Sequence, residues 1–148
     1  EDVAKEAHEL ALRLAQGFEL AGILAIELFV TKDERVIVNE LAPRPHNSGH
    51  YTIEACSFDQ FDAHIRGIAG WPLEQPELLK PAVMVNVLGQ HVAPTRALIA
   101  EHPEWNMHDY CKAEVRHDRK MGHITVLTDD TRQTVADLER TGCWDDLK

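Results

Sequence analysis

Apolar residues recur at helical spacing from the start of the chain, at Val3, Ala7, Leu10 and Leu14, which predicts an amphipathic first helix. Gly17 and Gly22 bracket a break, and "ILAIELFV" beyond them reads as a buried strand holding a single glutamate. The turn "TKDE" leads to a second strand, "RVIVNEL". After a polar loop, "SFDQ" at 57–60 fits a capping box, a serine followed three residues later by glutamine. Phe58, Phe61, Ile65 and Ile68 then mark one face of a helix ending near Gly70. "GWPLEQPELLKP" is a proline-punctuated connection and the best boundary in the chain. Beyond it come a strand, "AVMVNVLG", and a short helix, "PTRALIAEHPE", with proline near its first turn. Strands around "MHDYCK" and "GHITVLT" precede a closing helix near "RQTVADLERT". The expectation is an α+β chain in two parts, residues 1–74 and a small strand-rich unit over 75–148. The sequence opens inside a helical pattern without methionine, as a piece of something longer would.

Composition narrows the classes. A hydrophobic content of 44% with 27% charged residues in 148 positions fits a globular chain with a real core. The longest apolar run, "AGILAIELFV", is about half of what a membrane helix needs. A cytoplasmic protein without a membrane partner is expected. A net charge of −10 disfavours nucleic acid unless a basic patch intervenes. The cluster Lys112, Arg116, Arg119 and Lys120 is interrupted by Glu114 and Asp118. Three scattered cysteines signal neither zinc nor a disulfide framework. The histidines show no metal-ligand spacing; His117 and His123 receive no role. Trp71, Trp105 and Trp144 read as packing residues.

The first hairpin poses a problem. A turn centred between Asp33 and Glu34 pairs Phe29 with Val38, Leu28 with Asn39 and Glu27 with Glu40. Like charges directly opposed on a sheet are destabilising. Asp-Glu is not a favoured two-residue turn, so a register shifted by one, with a glutamate turned to solvent, stays open. The alternative is a divalent cation held between the carboxylates, as magnesium is commonly bound. Strand alternation aims Asn39 at the opposite face.

"ELAPRPHNSGHYTIEA" follows directly, with an arginine, two histidines and an amide close together. "IELFV", a short turn and "VNELAPRPHNSGHYTIEA" resemble the metal-binding end of the ATP-grasp fold, specifically the N5-carboxyaminoimidazole ribonucleotide synthase family. The resemblance continues through "QFDAHIRGIAGWPL", "AVMVNVLG" and "YCKAEVRHDRKMGHIT". It implies the carboxy-terminal part of an ATP-grasp domain followed by a small barrel- or sandwich-like domain. The implied reaction carboxylates 5-aminoimidazole ribonucleotide in purine biosynthesis, using ATP and bicarbonate through carboxyphosphate.

By that resemblance Glu27 and Glu40 ligate the Mg2+ that accompanies ATP, and Asn39 lies beside the phosphates. Arg44 holds bicarbonate or the carboxyphosphate made from it, and its planar donor fork suits such an oxyanion. His46, Asn47, Ser48 and His50 line the acceptor pocket, with His46 grouped with Arg44 as catalytic. Gly49 would let backbone approach a ligand closely. Lys112 and Arg119 match a basic pair that grips the ribonucleotide 5′-phosphate. The same resemblance implies a homodimer in the intact enzyme. No glycine-rich phosphate cradle occurs here, so the isolated chain is expected to be inactive. Two alternatives stand beside this reading. One is another ATP-grasp ligase such as formate-dependent glycinamide ribonucleotide transformylase, whose loop usually continues with Asp-Thr-Gly-Met where Asn47-Ser48-Gly49-His50 stands here. The other is a non-catalytic folded fragment.

Overall fold

The computed structural model describes residues 2–145. In chain order they form α1 (Asp2–Gly17), β1 (Ala25–Val30), β2 (Val36–Ala42), α2 (Thr52–Ala55), α3 (Gln60–Ala69), β3 (Ala82–Leu88), α4 (Val92–Leu98), β4 (Asn106–Asp109), β5 (Lys120–Leu127) and α5 (Thr131–Arg140). Single 3₁₀ turns lie at Asn47–Gly49, Gly89–His91 and Ile99–Glu101. The α+β class expected from the sequence is the class observed. Among the described residues no helix is long and apolar enough to cross a membrane. The chain divides into two compact units, residues 1–50 with 58–76 and residues 51–57 with 77–148.

In the first unit α1 packs on both strands of the β1–β2 hairpin. Its inner stripe is the predicted one: Val3, Ala7, Leu10 and Leu14 are half-buried, whereas Asp2, Lys5 and Glu9 are exposed. Helix α3 seats the segment that enters β1, because His64 Nδ1 accepts from the Ile23 N–H at 3.0 Å. A Cβ on Gly67 would lie 2.8 Å from the Gly22 backbone, so only glycine permits this approach. Asp59, not Ser57, caps α3: its carboxylate accepts from the N–H groups of Phe61 and Asp62. The capping-box expectation therefore placed the start two residues early. Ser57 instead accepts the Glu77 N–H on its Oγ at 3.0 Å, and Gln60 is used elsewhere.

The second unit is built on an antiparallel sheet in the order β3-β5-β4. The central strand is buried from Met121 to Val126, as a strand flanked on both edges and covered by helices should be. Val87, Trp105, Ile124, Val126, Leu138, Cys143 and Trp144 form the core. Trp144 meets Trp105 edge-on at 5.9 Å and donates its indole N–H to the Asn86 carbonyl at 2.9 Å. The segment carrying α2 belongs here. Ala55 O accepts from Leu79 N at 2.7 Å, and Glu54 Oε1 lies 2.5 Å from His108 Nε2. His108 in turn stacks on His123 at 4.5 Å.

Candidate active site

The hairpin turn is one residue longer than a two-residue turn. Thr31 N bonds to Arg35 O and Glu34 N to Thr31 O, both at 3.0 Å, and Glu34 sits at φ 60°. This is the three-residue loop that closes on a left-handed residue. It pairs Val30 with Val36, Phe29 with Ile37 and Leu28 with Val38, so the expected Phe29–Val38 and Leu28–Asn39 pairs do not form. A β-bulge at Asn39 then takes up the extra residue and restores the pairing of Glu27 with Glu40. Both carboxylates stand on the exposed face of the hairpin.

The bulge has a second effect. Alternation alone would turn Asn39 away from Glu27, but Asn39 and Glu40 are exposed in succession. Asn39 Nδ2 donates to Glu27 Oε2 at 3.3 Å. The expectation that Asn39 faces the other side is therefore corrected by an irregularity that strict alternation cannot express. His46 Nε2 lies 3.6 Å from Glu27 Oε1, beyond a hydrogen bond but within reach of a small shift. On its other side, His46 Nδ1 is 2.9 Å from Ser48 Oγ and caps the 3₁₀ turn by accepting from Ser48 N at 3.4 Å.

The loop that follows β2 is held from beneath by Gln60, which is only 7% exposed. Its Oε1 accepts from His46 N and its Nε2 donates to His46 O, each at 2.9 Å. The same Nε2 lies 2.7 Å from His50 Nδ1. A Cβ on Gly49 would fall 2.5 Å from Gln60 Oε1, so the close approach at Gly49 is to this amide. The sequence signal for Gln60 was present, an amide at the start of a helix, but helix capping absorbed it. Arg44 is exposed and donates from Nη1 to the Pro45 carbonyl at 3.0 Å. Asn47 and His50 are half-buried and Ser48 is exposed.

Glu27, Asn39, Glu40, His46 and Ser48 thus form one constellation on the hairpin and its loop. Lys112 and Arg119 lie in the second unit. Lys112 Nζ donates to Lys120 O at 2.6 Å and sits 5.6 Å from the Tyr110 ring centre. Arg119 donates to Glu114 O at 3.2 Å. Both bonds fold the 110–120 loop on itself, and Asp118 N bonds to Gln90 Oε1 at 2.9 Å. Lys112, Arg96, Asp109 and Cys111 help to line a cavity of about 260 Å³ over Val87 and Met121. The Cys111 N–H and then the Arg96 guanidinium hold the Asp109 carboxyl below the usual aspartate range.

Two carboxylates present oxygen donors, the chemistry magnesium prefers, while the Asn39 amide turns its N–H toward one of them. Among the described residues no group of three or more His, Cys, Asp or Glu side chains is arranged to hold an ion alone. A cation at Glu27 and Glu40 would therefore complete its shell with water or ligand oxygens.

The ATP-grasp domain family matches residues 1–61, and the phosphoribosylaminoimidazole carboxylase C-terminal domain family matches residues 82–137. An N5-carboxyaminoimidazole ribonucleotide synthase of Staphylococcus aureus (strain COL) is 47% identical over 138 residues, covering 93% of this chain and 37% of that protein. The crystal structure of an ADP complex of an N5-carboxyaminoimidazole ribonucleotide synthetase superposes with a TM-score of 0.91 at 42% identity, covering 99% of this chain and 39% of that one. An N5-carboxyaminoimidazole synthase of Aspergillus clavatus, in complex with ADP and 5-aminoimidazole ribonucleotide, gives 0.81 at 33% identity, covering 93% and 38%. The chain spans less than half the length of each of these relatives. Part of an ATP-grasp domain is thus followed by the carboxylase C-terminal domain, and the chain belongs to the N5-carboxyaminoimidazole ribonucleotide synthase family.

Proposed function

We propose that this chain supplies part of the active site for ATP- and bicarbonate-dependent carboxylation of 5-aminoimidazole ribonucleotide. The products are N5-carboxyaminoimidazole ribonucleotide, ADP and phosphate. The observation that carries the reading is the Glu27–Glu40 pair with Asn39 bulged onto its face, beside the His46–His50 loop. Bicarbonate is a poor electrophile, and phosphorylation turns one of its oxygens into a leaving group. Such a transfer needs positioning and charge neutralisation rather than covalent help from the protein.

Glu27 and Glu40 would hold Mg2+, which neutralises phosphate charge during the transfer. Asn39 fixes one oxygen of Glu27, so that the other can bind. Arg44, next to the loop, offers a planar fork of donors to the activated bicarbonate. His46, Asn47, Ser48 and His50 orient the acceptor, and Lys112 and Arg119 take its 5′-phosphate. A homodimeric, cytoplasmic parent belongs to the same proposal. The relatives' greater length supports an inactive isolated chain, with the remaining nucleotide contacts supplied by the rest of the parent.

The test is Glu40→Gln in the full-length parent. ADP release is expected to fall by more than about tenfold, with the unfolding midpoint unchanged, because Glu40 is exposed. Turnover surviving within about tenfold would remove the metal assignment.

A further inference from the structure

The orientation of the Gln60 amide is decided by backbone atoms. The His46 N–H can only donate and the His46 carbonyl can only accept, so Oε1 and Nε2 cannot be exchanged. One Nε2 hydrogen serves His46 O, and the other faces His50 Nδ1 at 2.7 Å. That nitrogen must therefore offer a lone pair. A neutral imidazole with a lone pair on Nδ1 carries its proton on Nε2.

We propose that Gln60 is a positioning residue that fixes the path of the ligand loop and holds His50 as the Nε2-protonated form. His50 Nε2 is then a hydrogen-bond donor to a ligand oxygen and not a base. The inference rests on the reading of residues 46–50 as a ligand loop. Two further contacts support it. Backbone at Gly49 rides so close to the amide that a Cβ would lie 2.5 Å from Oε1 and 2.9 Å from Cδ, so that only glycine leaves the Gln60 amide its place. Phe61, the next residue, stacks on the His50 ring at 5.6 Å and 12°, and so sets the plane of the ring. Gln60 fixes which nitrogen holds the proton, and Phe61 fixes how the ring lies. The ligand chemistry this form recognises is an oxygen acceptor, either a carboxylate-like oxygen derived from bicarbonate or a phosphate oxygen of the ribonucleotide.

The experiment uses the full-length parent carrying Gln60→Glu, which keeps the shape and the acceptor but has no N–H. Nitrogen NMR of labelled imidazoles reads the tautomer, with His50→Asn assigning the signal. In the unsubstituted protein, Nδ1 is expected to be unprotonated and Nε2 protonated. In Gln60→Glu the proton should move to Nδ1, and KM for either bicarbonate or the ribonucleotide should rise by about tenfold or more while KM for ATP holds. Whichever KM rises identifies the oxygen. A proton on Nδ1 in the unsubstituted protein would overturn the proposal, and so would a moved proton with neither KM changed. If Gln60→Glu does not fold, the unsubstituted tautomer still decides. Absence of ribonucleotide-stimulated turnover in the unsubstituted parent would instead defeat the proposed function and leave the tautomer result standing.

Discussion

Asn39 donates to Glu27 across the hairpin at 3.3 Å, and it does so because a bulge turns it onto the carboxylate face. A carboxylate held on one oxygen presents the other in a fixed direction, the usual means by which an outer partner tunes a metal ligand. Asn39→Ala in the full-length parent should lower ADP release by about 10–100-fold. The melting temperature should barely move, because the side chain is exposed. Turnover within about twofold of the parent would show that this bond has no bearing on the site.

Gly49 and Gly17 should respond in opposite directions to alanine. At Gly49 the added Cβ meets a buried amide already engaged by His46 and His50, and overpacking of this kind costs about 1–3 kcal/mol. At Gly17, the last residue of α1, the space is open, and alanine should add about 0.4–1 kcal/mol by restricting the unfolded chain. Urea unfolding of the two variants gives both signs. A neutral Gly49→Ala would mean that the loop is not seated on Gln60.

The three thiols should label in a defined order. Cys111 is exposed, Cys56 is half-buried with its thiol pKa pushed up by desolvation, and Cys143 is buried. The thiolate is the reactive form. Timed iodoacetamide labelling followed by peptide mass analysis should therefore modify Cys111 first, Cys56 slowly and Cys143 only on unfolding. Early labelling of Cys143 would contradict the core packing around Trp144.

Asp109 should make the second unit sensitive to acid. Its folded pKa is lowered, first by the Cys111 N–H at 2.8 Å and then by Arg96 at 2.6 Å. A lowered folded value means that the stabilisation is present above the unfolded pKa and fades as pH falls through the folded one. The Asp109 contribution should therefore hold from neutrality down to about pH 4 and weaken below it. Tryptophan fluorescence across an acid titration would show this, and Asp109→Asn should flatten that part of the slope. An unchanged slope in the variant would mean that the Asp109 contacts contribute nothing measurable in solution.

Much of this arrangement was legible in the sequence, and the exceptions share a cause. The α1 stripe from Val3 to Leu14 and the two hairpin strands follow from the apolar pattern. The helix through Phe61 and Ile65 forms where expected, but the stripe that predicted it is exposed, with Phe61 at 42%, Ile65 at 59% and Ile68 at 58%. Helix α3 is seated instead through Gln60, His64 and Gly67, contacts that periodicity does not express. The Glu27–Glu40 pairing was also correct, although by compensation: the turn is longer than expected and the bulge at Asn39 cancels the shift. Periodicity cannot register two irregularities that offset each other. Gln60 was misread because two uses of an amide, capping a helix and clasping a distant loop, look alike in sequence. Which one occurs depends on contacts 10 and 14 residues away. The roles of Arg44, Lys112 and Arg119 came from resemblance alone, and here the three side chains donate to nearby carbonyls, those of Pro45, Lys120 and Glu114.

The most direct measurement is ADP release by the full-length parent with magnesium, ATP and bicarbonate, with and without 5-aminoimidazole ribonucleotide, and with the 148-residue chain run alongside. The account predicts strong stimulation of the parent by the ribonucleotide and no turnover by the isolated chain. A parent indifferent to the ribonucleotide, or stimulated instead by glycinamide ribonucleotide with formate, would contradict the proposed reaction.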